Sequence, residues 1–164
     1  MSLGEREKLQ AILHECDTHA RRIQHAQRAC SPLFPLTSDS YRALTEDDIA
    51  HLDQLVYRYT KLQDAMGAKL FPHIVAHLRE DADSLTVLDK LAHLERAHVI
   101  SDADRWQELR EIRNQLAHDY EDDAETAAGY LNALYESSSL LLSYHTEATQ
   151  FVRDRIVRDA GTDE

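Results

Sequence analysis

The residues best suited to chemistry lie in one short run, RNQLAHDY, at positions 113–120. Arg113 and His118 bracket four residues, and Tyr120 follows two positions later. On a helix Asn114 and His118 are i and i+4 and share a face, with Arg113 one step to the side. Such a set suits cleavage of a phosphodiester. A histidine titrating near neutrality can take the proton of a ribose 2′-hydroxyl or give one to a leaving 5′-oxygen. A guanidinium can hold non-bridging oxygens bidentately and offset the charge that develops on phosphorus. An amide can orient the phosphate or the histidine. A structural ion-pair network or a polar helix end yields the same Arg-x4-His spacing, so the spacing by itself leaves both readings open.

The charge around this run is divided. Residues 119–125, DYEDDAE, carry five carboxylates, which repel RNA. Residues 54–79 carry four basic side chains, Arg58, Lys61, Lys69 and Arg79, against the single acid Asp64, a local charge of +3. Arg58, Lys61 and Lys69 fall close to one helix face and could contact RNA there; a solvated surface is the alternative. The ten histidines invite a search for metal ligands. In HECDTH, 14–19, the two histidines are five apart and do not share a helix face. His73 and His77 are i and i+4, but no third ligand stands near them in sequence. No glycine-rich phosphate loop, paired-carboxylate site or Ser/His/Asp set stands out, so neither a metal nor a cofactor is expected.

Helices must position these residues. Ser2 and Glu5 form a capping-box pattern, and Leu9, Ile12, Leu13, Cys16, Ala20, Ile23 and Ala26 recur at helical spacing to about Cys30. SPLFPLTS, 31–38, holds two prolines and reads as a loop whose Leu33, Phe34 and Leu36 tuck against the body. Thr45 caps the next helix, with a core face of Ile49, Leu52, Leu55, Val56, Tyr59, Leu62, Met66 and Leu70. Pro72 kinks or ends it near Leu70, and a short helix continues to Leu78. Gly67, inside this stretch, costs roughly 1 kcal/mol relative to alanine and points to close approach by another helix or by a second copy.

After the acidic turn EDADS, Ser84 is placed to cap a helix burying Leu85, Val87, Leu88, Leu91 and Leu94 and stopping near His98. Ser101 and Asp104 open another helix, with Trp106, Leu109, Ile112 and Leu116 inward, and it ends around the RNQLAHDY run. EDDAE starts the last helix, which buries Tyr130, Leu131, Leu134, Leu140, Leu141, Tyr144, Phe151, Val152 and Ile156. No alternating strand pattern occurs. The expectation is one all-α domain over 1–157, an up-and-down bundle of four to five main helices, with 158–164 a frayed tail.

The totals agree. A chain of 164 residues suits one domain, and an apolar share of 43% supplies a core. Only four glycines and three prolines leave little turn chemistry for a sandwich or barrel. A net charge of −12 argues against a broad basic surface for coating DNA or a membrane, though not against a local phosphate site. No apolar run approaches the ~18 residues of a membrane span, and MSLGEREK lacks the apolar segment of a secretory leader. With only two cysteines, Cys16 and Cys30, a disulfide framework is excluded and a cytoplasmic location is expected.

RNQLAHDY resembles the R-N-x-x-x-H-x-Y form of the motif found in HEPN domains, in particular in HepT-like toxins. YRYTKLQDAMGAKLFP, 57–72, and LDKLAHLERAHVISDADRWQELREIRNQLAHDY, 88–120, are similar to segments of the same proteins, so the resemblance covers most of the chain. It implies a HEPN bundle paired as a symmetric homodimer, with both motifs in one cleft, cutting RNA such as tRNA or mRNA without a metal. By that resemblance Arg113 and His118 are the catalytic pair, and Asn114 and Tyr120 support them. Tyr120 is also the site at which a cognate minimal nucleotidyltransferase antitoxin, MntA-like, attaches AMP. The alternative within the same resemblance is a non-catalytic partner of a nucleotidyltransferase, whose bundle serves as a docking surface. The acidity of 119–125 favours the second, and the intact Arg113/His118 pair favours the first. A helical dimer whose polar run only caps a helix is the third reading.

Overall fold

The computed structural model describes residues 2–115 and 123–157, and among them every regular element is helical. Helix α1 spans Leu3–Cys30, α2 Ser38–Arg42, α3 Glu46–Ala65 and α4 Phe71–Leu78. Helix α5 spans Val87–Arg96, α6 Ala103–Gln115 and α7 Ala124–Phe151. None of the described helices is long and apolar enough to cross a membrane.

Local chemistry sets most of the boundaries. Ser2 and Glu5 form the expected capping box, with the Ser2 amide donating to Glu5 Oε2 at 2.7 Å, and Thr45 and Asp48 form another. Thr37 and Ser40 build a capping box of their own, and the five-residue α2 follows, starting at the last residue of the expected loop and running on through residues to which the sequence assigned no element. The preceding segment docks as anticipated. Leu36 is buried, Phe34 stacks on Tyr135 with centroids 4.0 Å apart, and the Asn132 side chain bonds both the amide and the carbonyl of Leu36.

Pro72 acts through the turn before it. Lacking an N–H and crowding the carbonyl four residues back, it cannot extend a regular α-helix. The backbone widens over Met66–Leu70 into a π-turn, in which the Phe71 amide donates to the Met66 carbonyl, and α4 then begins with Pro72 in its first turn. Gly67 sits in this turn, and a methyl group placed on it would meet Trp106 Cζ2 at 3.6 Å, an ordinary contact. The close approach of another helix is therefore real, but it leaves room for alanine.

Helix α5 differs from expectation at its start. Thr86, not Ser84, is the cap, because Asp89 three residues on returns the bond to it, whereas Ser84 has Val87 at that position. Val87 and Leu88 then fall in the first turn and stay 55% and 66% exposed, so α5 buries only Leu91 and Leu94. Past Arg96 the chain turns through His98 in the left-handed region, φ 59°, and the Val99 amide bonds the Leu94 carbonyl. Ser101 does not cap α6; the Asp102 carboxylate accepts from the Arg105 amide instead. Ile49, expected inside, is 38% exposed in the first turn of α3.

One hydrophobic cluster joins the helices. Helix α1 gives it Leu9, Ile12, Cys16, Ala20 and Ile23, and α3 gives Leu52, Leu55, Tyr59 and Leu62. Full burial of each such leucine or isoleucine contributes roughly 1.5–3 kcal/mol. Cys16 and Cys30 are core residues: burial pushes their thiols up to about 12 and about 11, so they stay protonated. Side-chain pairs show α1 and α7 antiparallel, Gln27 meeting Ser138 while Asp17 meets His145. Helices α6 and α7 are antiparallel too, Ile112 meeting Tyr130 and Asp102 meeting Tyr144.

Candidate functional site

Helix α6 carries the start of the Arg-x4-His run, and three phenols hold it. Tyr59 of α3 donates to the Leu109 carbonyl at 3.0 Å, Tyr130 of α7 to the Ile112 carbonyl at 3.0 Å, and Tyr144 of α7 to the Asp102 carbonyl at 2.5 Å. Burial raises the pKa of Tyr59 and of Tyr144, which keeps both as donors. Trp106, wedged between Phe71 and Tyr144 with ring centroids 4.6 and 5.6 Å away, fixes the helix from its apolar side.

On the last turn of α6 Arg113 makes a two-pronged ion pair with Asp64 of α3, Nε to Oδ1 at 2.9 Å and Nη2 to Oδ2 at 3.0 Å. The two side chains are 32% and 43% exposed. The hydrogen bonds it donates to Asp64 raise the guanidinium pKa further, so Arg113 is permanently charged and its plane is fixed. The fork uses two of five N–H donors, and among the described residues the other three have no acceptor. Asn114, beside it, is exposed. His118 and Tyr120, the other two members of the motif, lie outside the described residues, as does Leu116.

The basic stripe has its own partners. Arg58 Nη1 donates to His19 Nδ1 of α1 at 2.9 Å, and its guanidinium lies 5.3 Å from the centre of the Tyr57 ring. Burial, aided by the Arg58 charge, lowers the His19 pKa, which suits a neutral imidazole accepting that bond. Lys61 Nζ lies 5.6 Å from the same ring, and Lys69 pairs with Glu15 at 2.8 Å. The contacts of Arg58, Lys61 and Lys69 are therefore with α1 and Tyr57, whereas that of Arg113 is with Asp64. Glu15 also offsets the local positive charge that the sequence alone displayed.

Beside Asp64 a pocket of about 430 Å³ opens between the end of α3, the π-turn, α5 and α6. Its apolar wall includes Phe71, Leu91, Leu94 and Trp106, and Gln63, Lys90 and Arg110 are its polar members besides Asp64. Arg110, one turn before Arg113, was visible in the sequence only as a polar residue off the buried stripe of α6. Asp64 was visible only as the lone acid in a basic segment. Neither the pocket nor the fork follows from local spacing, since Asp64 and Arg113 are 49 positions apart. Among the described residues, no group of three or more His, Cys, Asp or Glu gathers as a metal site, and His73 and His77 find no third ligand there.

Searches against family models, curated proteins and solved structures return no match to this chain.

Proposed function

We propose that the chain is a HepT-like HEPN endoribonuclease that cuts RNA by transesterification. The reading rests on the R-N-x-x-x-H-x-Y spelling of 113–120, and the observation that carries it furthest is the Arg113–Asp64 fork. A catalytic arginine works best when its orientation is set before substrate arrives, and Asp64 sets that of Arg113 while three donors meet no acceptor among the described residues. In this mechanism a ribose 2′-oxygen attacks the adjacent phosphorus as His118 takes its proton. The bond from phosphorus to the 5′-oxygen breaks, leaving a 2′,3′-cyclic phosphate, and that 5′-oxygen collects a proton. One histidine cannot be base and acid at the same instant, so pairing of two copies in a homodimer, with both motifs in one cleft, supplies the second. Arg113 holds the phosphorane oxygens and Asn114 orients them. A minimal nucleotidyltransferase partner would silence the site by placing AMP on Tyr120, adding negative charge beside Arg113.

The same fork favours a second reading. An arginine already matched by a carboxylate attracts phosphate less than a free one, as expected of a docking module that serves a nucleotidyltransferase without cutting RNA. The deciding experiment incubates the purified protein with tRNA in the presence of EDTA and compares His118→Ala and Arg113→Ala. The enzyme reading expects 2′,3′-cyclic ends from the native chain and a loss of roughly a hundredfold or more in each variant. Cleavage that survives both substitutions, or no cleavage with stable nucleotidyltransferase binding, would replace it with the docking reading.

A further inference from the structure

Two arginines and a histidine meet at a second recess, where the end of α4 lies against α5. It measures about 300 Å³ and is lined by Val75, Leu78, Arg79, His93, Arg96 and Ala97. None of these residues lines the pocket beside Asp64. The His93 ring is shared by the two guanidiniums. Arg79 Nη1 lies 2.9 Å from its Nε2, and Arg96 Nη2 lies 2.8 Å from its Nδ1. A neutral imidazole has one N–H and one bare nitrogen, and a guanidinium has only donors. Whichever ring nitrogen carries the proton, one of the two contacts therefore sets N–H against N–H. A protonated ring would set both so, and would bring three cations together. Desolvation, and then the charges of Arg79 and Arg96, lower the His93 pKa, which favours the neutral ring. In either state the cluster is short of an acceptor.

The neighbouring groups are already engaged. Asp81 takes Nε and Nη2 of Arg79 in a fork, at 2.7 and 2.8 Å, and leaves Nη1 facing the ring. Asp89, one turn before His93, accepts from the Thr86 hydroxyl at 2.7 Å. Arginines near a helix C-terminus can bond its last carbonyls. Here the carbonyls of His93, Leu94 and Glu95 accept instead from the amides of Ala97, Val99 and His98. Arg96 makes no ion pair among the described residues, so Asp81 offsets one guanidinium and the other stays uncompensated, in a chain of net charge −12. Donors that converge from three side chains call for a charged acceptor with lone pairs in several directions, which a tetrahedral oxyanion offers and a planar carboxylate offers less well. We propose that Arg79, His93 and Arg96 form a binding site for a phosphate dianion with a free end, either inorganic phosphate or a small phosphomonoester. Its oxygens accept from Arg79 Nη1, from Arg96 and from the imidazole N–H, which ends the conflict between donors. The site is independent of the ribonuclease reading, since none of its residues belongs to 113–120.

The test is calorimetric titration of the full chain at constant ionic strength in chloride, at a pH where phosphate is mostly dianionic. The probes are inorganic phosphate, methyl phosphate, acetate and a 2′-O-methyl tetranucleotide without terminal phosphate. Saturable binding of phosphate is expected. Methyl phosphate binding equally well identifies a phosphomonoester as a source, and binding of phosphate alone identifies the free ion. Arg96→Gln, at an exposed position, should weaken phosphate binding by about tenfold or more. Asp81→Asn, which releases Arg79 from its fork, should strengthen it by about threefold. Arg110→Gln and Asp83→Asn make the same changes of charge elsewhere and should shift it by less than about twofold. Circular dichroism checks that each variant folds. Absence of saturable phosphate binding at millimolar concentration overturns the proposal, as does native affinity in folded Arg96→Gln. Acetate binding as tightly as phosphate overturns the choice of ligand, and so does tighter binding of the tetranucleotide, which would assign the recess to the backbone of a nucleic acid.

Discussion

Asp64 grips Arg113 through both carboxylate oxygens, and the use of that grip is measurable apart from its stability. Both side chains are only partly buried, so Asp64→Ala is expected to lower the unfolding free energy by less than about 1 kcal/mol. If the proposed ribonuclease reading holds, its effect on RNA cleavage is larger, roughly tenfold, because the guanidinium loses its fixed plane. Urea melts and cleavage rates on the same variant check this, and equally small changes in both would leave the fork a purely structural pair. At this scale the sequence was informative about residue types and silent about partners. The Arg113, Asn114, His118 and Tyr120 pattern is visible because the four residues stand within eight positions of one another and spell a run that resembles a known motif. The Asp64 partner is invisible because the contact depends on how α3 packs on α6. Gln63 is hidden for the same reason: next to Leu62 on α3, it reads as a shoulder residue until α5 and α6 close over it.

At the scale of elements, most starts and stops follow from short-range chemistry, which is why they could be read directly. The exceptions also have local causes. Thr86 and Ser84 are both plausible caps, but only Thr86 has a carboxylate three residues on to return the bond. Thr86→Ala is therefore expected to cost about 1 kcal/mol. Ser84→Ala should cost no more than a few tenths, since its hydroxyl bonds only the Asp81 carbonyl in an exposed turn. Thermal or urea denaturation of the two variants checks the pair, and an equal loss would contradict the assigned boundary. The short α2 was obscured because the two prolines just before it dominate a reading by composition, while its Thr37–Ser40 box is as local as the others. The π-turn at Met66–Leu70 lay half in view: Pro72 announced a disturbance, but whether the chain would kink, stop or widen depends on packing against Trp106.

Across the whole molecule, histidines on different helices titrate in the same sense. Burial lowers the pKa of His145, with Asp17 pulling the other way, and burial also lowers His19 and His73. A histidine whose folded pKa lies below its unfolded value binds protons more readily in the unfolded chain. Its contribution is thus fully present above about pH 6.5, the unfolded value, and is lost as pH falls through the folded one. The His145→Gln variant should accordingly lose less stability than the native chain between about pH 7.5 and pH 5. Comparing the pH slopes of the two unfolding free energies removes the shared effect of the net charge of −12. A steeper slope in the variant would contradict the sign. The all-helical class was legible at this scale from the scarcity of glycine and proline and from unbroken 3.6-residue periodicity. The pocket was not, because it is a property of how five elements meet.

The three tyrosine hydroxyls on α6 have a consequence for how this surface can change over time. Each phenol grips a main-chain carbonyl, a group that every amino acid supplies alike. The helix is thus mounted by its backbone and by Trp106 and Leu109, with Arg113 adding its pair to Asp64, while Arg110 and Asn114 make no such tie among the described residues. Replacing these two outward residues leaves the mounting untouched, so selection can rewrite the chemistry of this face without first solving the fold again.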